Sequence, residues 1–174
     1  MQIRKSQLKD VEALGAFYDR VVFRLDEHNV NYPLWRYKIY PSVDFAREMT
    51  ETGEQYICLE DGMIRGAFAL NTDPQGNYSK GSWSRELPEG SYLVIHAFAV
   101  DPELQKKGLG SEILRFCKEE TKAQGYHWLR ADFVPDNIPA RRTFEKNGFK
   151  YMGEADLDRE DTGIPKFGLL ELYI

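Results

Sequence analysis

The sequence has 174 residues, of which 42% are hydrophobic and 13% aromatic, and its formal net charge is -5 at pH 7. This length and composition fit one folded domain over residues 1–174 with a sizeable core, and they exclude a disordered chain. General nucleic-acid binders are usually basic, so the charge predicts no nucleic-acid partner. The first ten residues lack the apolar segment of a signal peptide, and no window approaches the roughly 18 apolar residues of a membrane span. We therefore expect a cytoplasmic protein with no membrane association.

The first half of the chain predicts two helices and an antiparallel hairpin. A short strand at residues 2–4 precedes an amphipathic helix, in which apolar residues recur at helical spacing from Leu8 to Leu25. The aromatic segment NVNYPLWRYKIYPS follows as a loop or broken helix, and Ser42 can cap a second short helix. Two apolar runs flank Glu60, Asp61 and Gly62, which form the turn signal of a β-hairpin.

The second half predicts a strand, a helix, a strand and a helix, followed by two closing strands. A polar, turn-rich loop at residues 72–90 precedes SYLVIHAFAV, which is apolar enough for a central strand covered on both faces. A helix to Gln124 and a strand in YHWLRADFV come next, and Asp136 or Asn137 can cap the following helix. Residues 149–157 and 166–174 close the chain as strands. The predicted fold class is therefore α/β (α+β) with a mixed sheet.

Cysteine and histidine usage predicts no metal site. Cys58 and Cys117 show no CxxC spacing, and the three histidines are not clustered. We expect both cysteines to be buried, reduced thiols. Cys117 lies within a predicted helix, so we expect it to be a poor nucleophile.

Two glycines stand where the predicted central strand gives way to a helix, in QKKGLGS at residues 105–111. The phosphate-binding P-loop pattern fails here because no Lys-Ser/Thr pair follows, and the dinucleotide fingerprint fails at its third glycine, where Ile113 stands. The setting still suits an anion, because the N–H groups of a helix N-terminus bind negative charge and Lys106 and Lys107 add positive charge. A tight turn with solvated lysines is the alternative.

QKKGLG, at residues 105–110, resembles the Gln/Arg-x-x-Gly-x-Gly/Ala motif of the GNAT superfamily of N-acetyltransferases. Downstream, DNIPARRTFEKNGF resembles that family's second signature, Asn-x-x-Ala followed by Glu-Lys-x-Gly-Phe. The order of the elements also agrees over residues 2–174. The resemblance implies the GNAT acyl-CoA N-acyltransferase fold, in which a splayed central mixed sheet is flanked by helices.

In that family the acyl donor is acetyl-CoA, so the resemblance implies acetyl-CoA as co-substrate and no metal. It implies that amides of the glycine stretch bind the pyrophosphate, that the strand edge pairs with the pantetheine arm, and that Asn137 bonds to the pantetheine or sulfur region. The alternative for Asn137 is a helix cap only, and the alternative for Arg141 is a solvated surface position. The implied donor-binding residues are Phe98, Ala99, Val100, Gln105, Lys106, Lys107, Gly108, Leu109, Gly110, Ser111, Asn137, Ala140, Arg141 and Phe144.

Acetyl transfer to an amine requires a neutral amine, a stabilised oxyanion and a leaving thiolate. An alkylamine has a pKa near 10.4, so about one molecule in a thousand is free base at neutral pH and a general base helps. His96 is the candidate base, because imidazole titrates near neutral pH and strand alternation places it on one face with Phe98. The alternative for His96 is a buried histidine bonded to a neighbour. A backbone N–H near Ala97–Phe98 is the candidate oxyanion donor.

The family often carries a tyrosine as general acid, and here Phe144 stands at that position. A phenyl ring cannot donate a proton. The thiolate then leaves unaided, water protonates it, another phenol such as Tyr151 takes the role, or the protein is a poor catalyst. We expect Phe144 to pack against the coenzyme or the core.

Trp35, Tyr40 and Trp83 are the candidate walls of an acceptor pocket, with core aromatics as the alternative. The spacing from Trp35 to Pro41 resembles a bacterial subgroup of these enzymes whose substrates are uncharacterised. We therefore expect an acetyl-CoA-dependent N-acetyltransferase that acts on a primary amine of a small molecule or peptide by direct attack in a ternary complex. The alternative is a non-catalytic acyl-CoA-binding module. The sequence leaves open the acceptor, the use of longer acyl-CoA donors and the oligomeric state, a homodimer included.

Overall fold

A computed structural model of the chain describes residues 1–104 and 108–174. Gln105, Lys106 and Lys107, which the sequence assigns to the anion site, lie outside the described residues. The strands and helices are β1 (Gln2–Lys5), α1 (Val11–Glu27), α2 (Val43–Glu51), β2 (Gln55–Glu60), β3 (Met63–Asn71), β4 (Leu93–Val100), α3 (Leu109–Ala123), β5 (Trp128–Phe133), α4 (Ile138–Lys146), β6 (Lys150–Ala155) and β7 (Phe167–Tyr173). None of the helices in the described residues is long and apolar enough to cross a membrane.

The chain divides into two compact units. Unit 1 comprises residues 1–70 and 96–113, and unit 2 comprises residues 71–95 and 114–174. Strand β4 and helix α3 contribute to both units, because β4 passes from unit 2 to unit 1 after Ile95 and α3 leaves unit 1 after Ile113. A single domain over the whole chain stays a prediction.

The described strands form a mixed sheet in the order β1-β2-β3-β4-β5-β7-β6. β4 and β5 run parallel, from the pair Leu93 and Leu129 to the pair Ile95 and Ala131. The β1–β2, β2–β3, β5–β7 and β6–β7 pairs are antiparallel. Helix α3 connects the parallel strands, which need a crossover of this kind. The predicted α/β class with a mixed sheet is therefore confirmed.

In unit 1, α1 and α2 pack on the antiparallel strands. Gly15 lets the two helices touch, because a Cβ there would stand 2.7 Å from the Cβ of Val43. The predicted hairpin turn is confirmed, since Asp61 and Gly62 have φ values of 51° and 75°, which suit Asp-Gly in a two-residue loop. The buried stripe of α1 and its strand partners form one apolar cluster, the α1 cluster, of Leu14, Phe17, Tyr18, Val21, Leu25, Ala46, Ile57, Ala67, Ala97 and Ala99.

In unit 2, β5 pairs with the first half of β4 on one edge and with β7 on the other, and β6 pairs with β7. The loop predicted at residues 72–90 extends to residue 92, because β4 begins at Leu93, and it contains a 3-10 turn at Tyr78–Lys80. Although polar in sequence, this loop packs its aromatic rings against the sheet. The resulting apolar cluster contains Tyr78, Tyr92, Val94, Ala155, Leu157, Phe167 and Leu169.

Ser42 caps α2 as its position predicts, since its hydroxyl accepts a hydrogen bond from the Phe45 N–H at 3.2 Å. We expect Ser42→Ala to lower the free energy of unfolding by about 1 kcal/mol, because that N–H loses its partner. Ser42→Asp is the matched control, because a carboxylate oxygen caps equally well and its charge suits a helix N-terminus. Urea denaturation followed by circular dichroism measures both variants. Equal stability of Ser42→Ala and wild type would contradict the contribution of the cap.

Candidate functional site

Gly108 is exposed and directly precedes α3, which begins at Leu109 in unit 1. Gly108 has a φ of 91°, a left-handed conformation that glycine adopts without the steric cost of a Cβ. Apart from its neighbours in the chain, no atom of the described residues lies within 4 Å of the position that a Cβ would take there. Leu109, in contrast, is buried and anchors the first turn of α3. Gly108 thus leaves space beside a helix N-terminus, where backbone N–H groups favour an anion.

Strand β4 departs from the extended conformation next to the predicted catalytic residue. Ala97 has a φ of 45°, a conformation that costs a non-glycine residue about 1–2 kcal/mol. The Tyr18 hydroxyl donates to the Ala97 carbonyl oxygen at 3.4 Å and accepts from Gln55 Nε2 at 3.2 Å. Ala97 interrupts the regular extended backbone of β4 between His96 and Phe98, so the shared face of these two side chains stays a prediction. His96 itself is buried in unit 1.

Burial suppresses the ionisation of phenol and thiol groups. It raises the pKa of the Tyr18 phenol, which therefore stays a neutral hydrogen-bond donor. It raises the pKa of the Cys58 thiol to about 12, so the nucleophilic thiolate is scarce at neutral pH. Cys117 is also buried, as predicted. Within residues 1–104 and 108–174, no group of three His, Cys, Asp or Glu side chains could hold a metal ion.

Asn137 caps α4 in unit 2. Its side-chain oxygen accepts the Ala140 N–H at 3.2 Å, which confirms the cap. A contact of Asn137 or Ala140 with a coenzyme stays a prediction. The Arg141 guanidinium donates to Glu145 at 3.1 Å and lies 3.7 Å from the centroid of the Tyr151 ring. Arg141 thus has two neighbours in unit 2 while its side chain is 34% exposed, and its contact with a coenzyme stays a prediction.

Phe144 and Tyr151 lie in different surroundings within unit 2. Phe144 is buried and packs edge-to-face on Phe149, with ring centroids 4.9 Å apart, so it belongs to the core, one of the two expected outcomes. Tyr151 is partly exposed, and its hydroxyl lies 3.5 Å from Glu154 Oε1. Partial burial, followed by the Glu154 carboxylate, raises the pKa of Tyr151. The phenol is therefore protonated at neutral pH, which is the form that a general acid needs.

The predicted acceptor aromatics belong to both units. In unit 1, Trp35 and Tyr40 are half-buried against the α1 cluster. Asn31 fixes the backbone of Trp35, because its side chain accepts the Trp35 N–H at 3.1 Å and donates to the Trp35 carbonyl oxygen at 2.7 Å. In unit 2, Trp83 Nε1 donates to the Tyr78 carbonyl oxygen at 2.7 Å. These contacts fit core aromatics as well as pocket walls, so the acceptor role stays a prediction.

Sequence reasoning missed a buried ion pair beside Trp83 in unit 2. Arg130 on β5 and Glu171 on β7 are cross-strand partners, each 1% exposed, with Nη2 3.7 Å from Oε2. The Arg130 guanidinium lies 4.1 Å from the Trp83 ring centroid and 4.4 Å from that of Tyr92. Glu171 accepts the Ser84 N–H at 3.0 Å. Neither Arg130 Nε nor Glu171 Oε2 has a hydrogen-bond partner in the described part of the chain.

A second network missed by the sequence ties β5 to two loops in unit 2. The Asp132 carboxylate accepts a hydrogen bond from the Tyr78 hydroxyl at 2.7 Å. It also accepts hydrogen bonds from two guanidinium nitrogens of Arg159, each at 2.8 Å. Arg159 also donates to the carbonyl oxygens of Pro74 and Gln75. These partners lie 27 to 85 positions apart, so no local sequence signal could have found them.

Comparisons with known proteins point to one family. The family described as Acetyltransferase (GNAT) family matches residues 22–149. A GNAT family acetyltransferase from Streptococcus agalactiae 2603 is 17% identical, with 99% of this chain and 95% of that chain covered and a TM-score of 0.79. The ribosomal-protein-alanine N-acetyltransferase of Brucella melitensis is 14% identical over 100% of both chains, with a TM-score of 0.72. The structure of yncA from Salmonella typhimurium with its cofactor acetyl-CoA is 18% identical, covers 99% and 93%, and has a TM-score of 0.68. These structural likenesses show the fold alone.

A curated relative shares a shorter segment. The tRNA(Met) cytidine acetyltransferase TmcA 2 of Saccharolobus solfataricus is 43% identical over 55 residues. That segment is 32% of this chain and 7% of the relative. The similarity therefore covers a small part of the relative's length.

Proposed function

We propose that this chain, which belongs to the acetyltransferase (GNAT) family, transfers an acetyl group from acetyl-CoA to a primary amine of a small molecule or peptide. The observation that carries the proposal is the exposed, left-handed Gly108 at the start of α3, within a stretch that resembles the family's pyrophosphate motif. We propose direct attack in a ternary complex. The burial of Cys58 and Cys117 supports direct attack over a cysteine-bound acyl group.

The donor-binding residues are proposed unit by unit. In unit 1, N–H groups of residues 108–111 would bind the pyrophosphate, and the family motif adds residues 105–107 to that site. Residues 98–100 of β4 would pair with the pantetheine arm. Acetyl-CoA supplies an activated acetyl group and a thiolate leaving group. In unit 2, the proposed contributors, which rest on the resemblance, are Asn137, Ala140, Arg141 and Phe144.

His96 is the proposed general base. Its imidazole would accept a proton from the attacking amine. The left-handed conformation of Ala97 re-aims the neighbouring peptide groups, and we propose that a backbone N–H near Ala97–Phe98 donates to the thioester carbonyl oxygen, where negative charge develops. The hydrogen bond from the Tyr18 hydroxyl to the Ala97 carbonyl oxygen at 3.4 Å supports a fixed position for this peptide group.

Tyr151 is the proposed proton donor to the leaving thiolate. Phe144, at the family's acid position, has no proton to donate and is buried. The raised pKa of Tyr151 keeps its proton in place at neutral pH. A thiol pKa near 8.5 makes the thiolate a fair leaving group, so the acid contributes less than the base.

Trp35, Tyr40 and Trp83 are proposed to contact the acceptor. The similar proteins are named for different acceptors, an alanine of a ribosomal protein in one case and a cytidine of a tRNA in another. Family membership therefore does not select the acceptor. The net charge of -5 favours attraction of a cationic amine from solution.

Thiol release across a panel of primary amines tests the proposed reaction. We expect at least one small-molecule or peptide amine to raise thiol release from acetyl-CoA above the rate of hydrolysis. Gly110→Glu is the control, because a carboxylate in the anion site should abolish both coenzyme binding and release. Retained coenzyme affinity in this variant would show that the anion site lies elsewhere.

The same panel separates a second candidate function, a non-catalytic acyl-CoA-binding module. Buried Phe144 at the position where the family carries a general acid favours this candidate. Coenzyme binding without acceptor-dependent release for any amine would support it and exclude the transferase.

His96→Ala tests the general base. We expect kcat at neutral pH to fall about 10²–10⁴-fold, with nearly unchanged affinity for the coenzyme. The deficit should shrink as the pH rises, because more of the amine is then already free base. Steady-state kinetics from neutral to alkaline pH measure this, with His127→Ala as the matched histidine control. Unchanged turnover of His96→Ala at neutral pH would remove His96 as the base.

Asn137→Asp separates the helix cap from a coenzyme contact. The substitution keeps a side-chain oxygen for the cap but removes the amide N–H groups. We expect weaker coenzyme binding with nearly wild-type stability, whereas Asn137→Ala should also lower the free energy of unfolding by about 1 kcal/mol. Calorimetric titration and thermal unfolding measure the two properties. Unchanged coenzyme affinity in both variants would leave Asn137 as a cap alone.

A further inference from the structure

A buried carboxylate stands in unit 1 where β4 ends and the chain leads towards the glycine stretch. Asp101 is 3% exposed and lies between Val100, the last residue of β4, and the 3-10 turn Pro102–Leu104. The proposed catalytic and donor-binding roles do not use it. A buried charge is costly unless it is paired, so the partners of Asp101 show what it holds in place.

Asp101 is paired with arginines from two other elements. Arg65 Nη1, on β3, lies 3.0 Å from Oδ2, and Arg20 Nη2, on α1, lies 3.6 Å from the same oxygen. The side chain of Arg65 is 21% exposed and that of Arg20 is 48% exposed, so solvent screens the Arg65 pair less. The Asp101 N–H also donates to the Arg65 carbonyl oxygen at 2.8 Å. Strand β3 therefore holds both the side chain and the backbone of Asp101.

The same residue organises the turn that follows β4. Asp101 Oδ1 accepts the Glu103 N–H at 3.1 Å, and the Asp101 carbonyl oxygen accepts the Leu104 N–H at 2.8 Å. An aspartate that bonds to the N–H two positions onward is a typical turn-forming arrangement. The turn before the glycine stretch is thus attached to β3 through Asp101.

The residue next to Arg65 brings β3 against the start of α3. A Cβ at Gly66 would lie 3.0 Å from Ile113 Cδ1 and 3.2 Å from the Ala99 carbonyl oxygen. These distances are tight, so β3 contacts both the end of β4 and the first turns of α3 within unit 1. The Arg65–Gly66 pair therefore supports the chain on both sides of the glycine stretch.

We infer that Asp101 and Arg65 are positioning residues for the pyrophosphate of the donor. Their ion pair attaches the turn Pro102–Leu104, before the glycine stretch, to β3. Gly66, next to Arg65 on β3, packs against Ile113 in α3, after that stretch. This support from β3 on both sides holds the backbone amides of residues 108–111 in place. A site made of backbone amides needs this precision of placement, because hydrogen bonds weaken steeply with distance and angle. The inference rests on the proposed function, since it requires the glycine stretch to bind pyrophosphate.

Coenzyme A and pantetheine separate a positioning role from general stability. Pantetheine carries the same thiol arm but lacks the pyrophosphate. Asp101→Asn keeps Oδ1 as an acceptor and removes the charge that Arg65 binds. We expect its Kd for coenzyme A to rise about tenfold. Its Kd for pantetheine should stay unchanged. This Kd is measured by letting pantetheine, at millimolar concentration, displace bound coenzyme A.

Arg65→Gln breaks the same ion pair from the other side and should produce the same selective loss of affinity for coenzyme A. It keeps the test available if Asp101→Asn does not fold. Arg47→Gln is the matched control, because it breaks an exposed ion pair of unit 1, Arg47–Glu12 at 2.8 Å. Its affinity for either ligand should equal that of wild type.

Two results would overturn the inference. One is an equal loss of affinity for coenzyme A and pantetheine in the Asp101 and Arg65 variants, which would show a general structural role. The other is unchanged affinity for coenzyme A in both variants. A wild-type chain that binds neither acetyl-CoA nor coenzyme A would overturn the proposed function, and this inference with it, before any variant is compared.

Discussion

Strand β4 is part of both compact units. Its first half pairs in parallel with β5 in unit 2, and its second half contributes Ala97 and Ala99 to the α1 cluster in unit 1. A strand with this duty is buried over most of its length, His96 included. Such a strand can supply a polar group to a site in two ways, through a buried polar side chain or through its backbone. His96 offers the first, and the left-handed Ala97 offers the second.

The elements that could be predicted from the sequence are those whose signals are local. Helical spacing predicted α1, Asp61-Gly62 predicted the hairpin, and Ser42 predicted the start of α2. The sequence offered Asp136 or Asn137 as the cap of α4, and the structure has Asn137. Each signal depends on residues within a few positions of one another. The mixed sheet followed from the order of these elements, and two motifs carried the family resemblance.

The parts that could not be predicted depend on partners far apart in the sequence. No glycine in the sequence indicates the left-handed conformation at Ala97. The Tyr18 hydroxyl that bonds to the Ala97 carbonyl oxygen lies 79 positions away. A charged residue such as Arg130 is usually expected at the surface. Its burial makes sense only once its pairing with Glu171 on the neighbouring strand is known. The glycine stretch could be assigned to an anion by pattern, but the Asp101–Arg65 contact, across 36 positions, could not. Ion pairs between residues far apart in the sequence could therefore not be predicted.

Arg130 lies over the Trp83 indole at 4.1 Å, so a cation already engages the π electrons of that ring. As a proposed acceptor wall, Trp83 would offer a second cation a weaker site than an unoccupied indole does, because the two positive charges repel each other across the ring. If Trp83 contacts the acceptor as proposed, an alkylammonium would gain less at this ring than a deprotonated amine, which meets no such repulsion. The ring would then favour the protonation state of the amine that is able to attack a thioester.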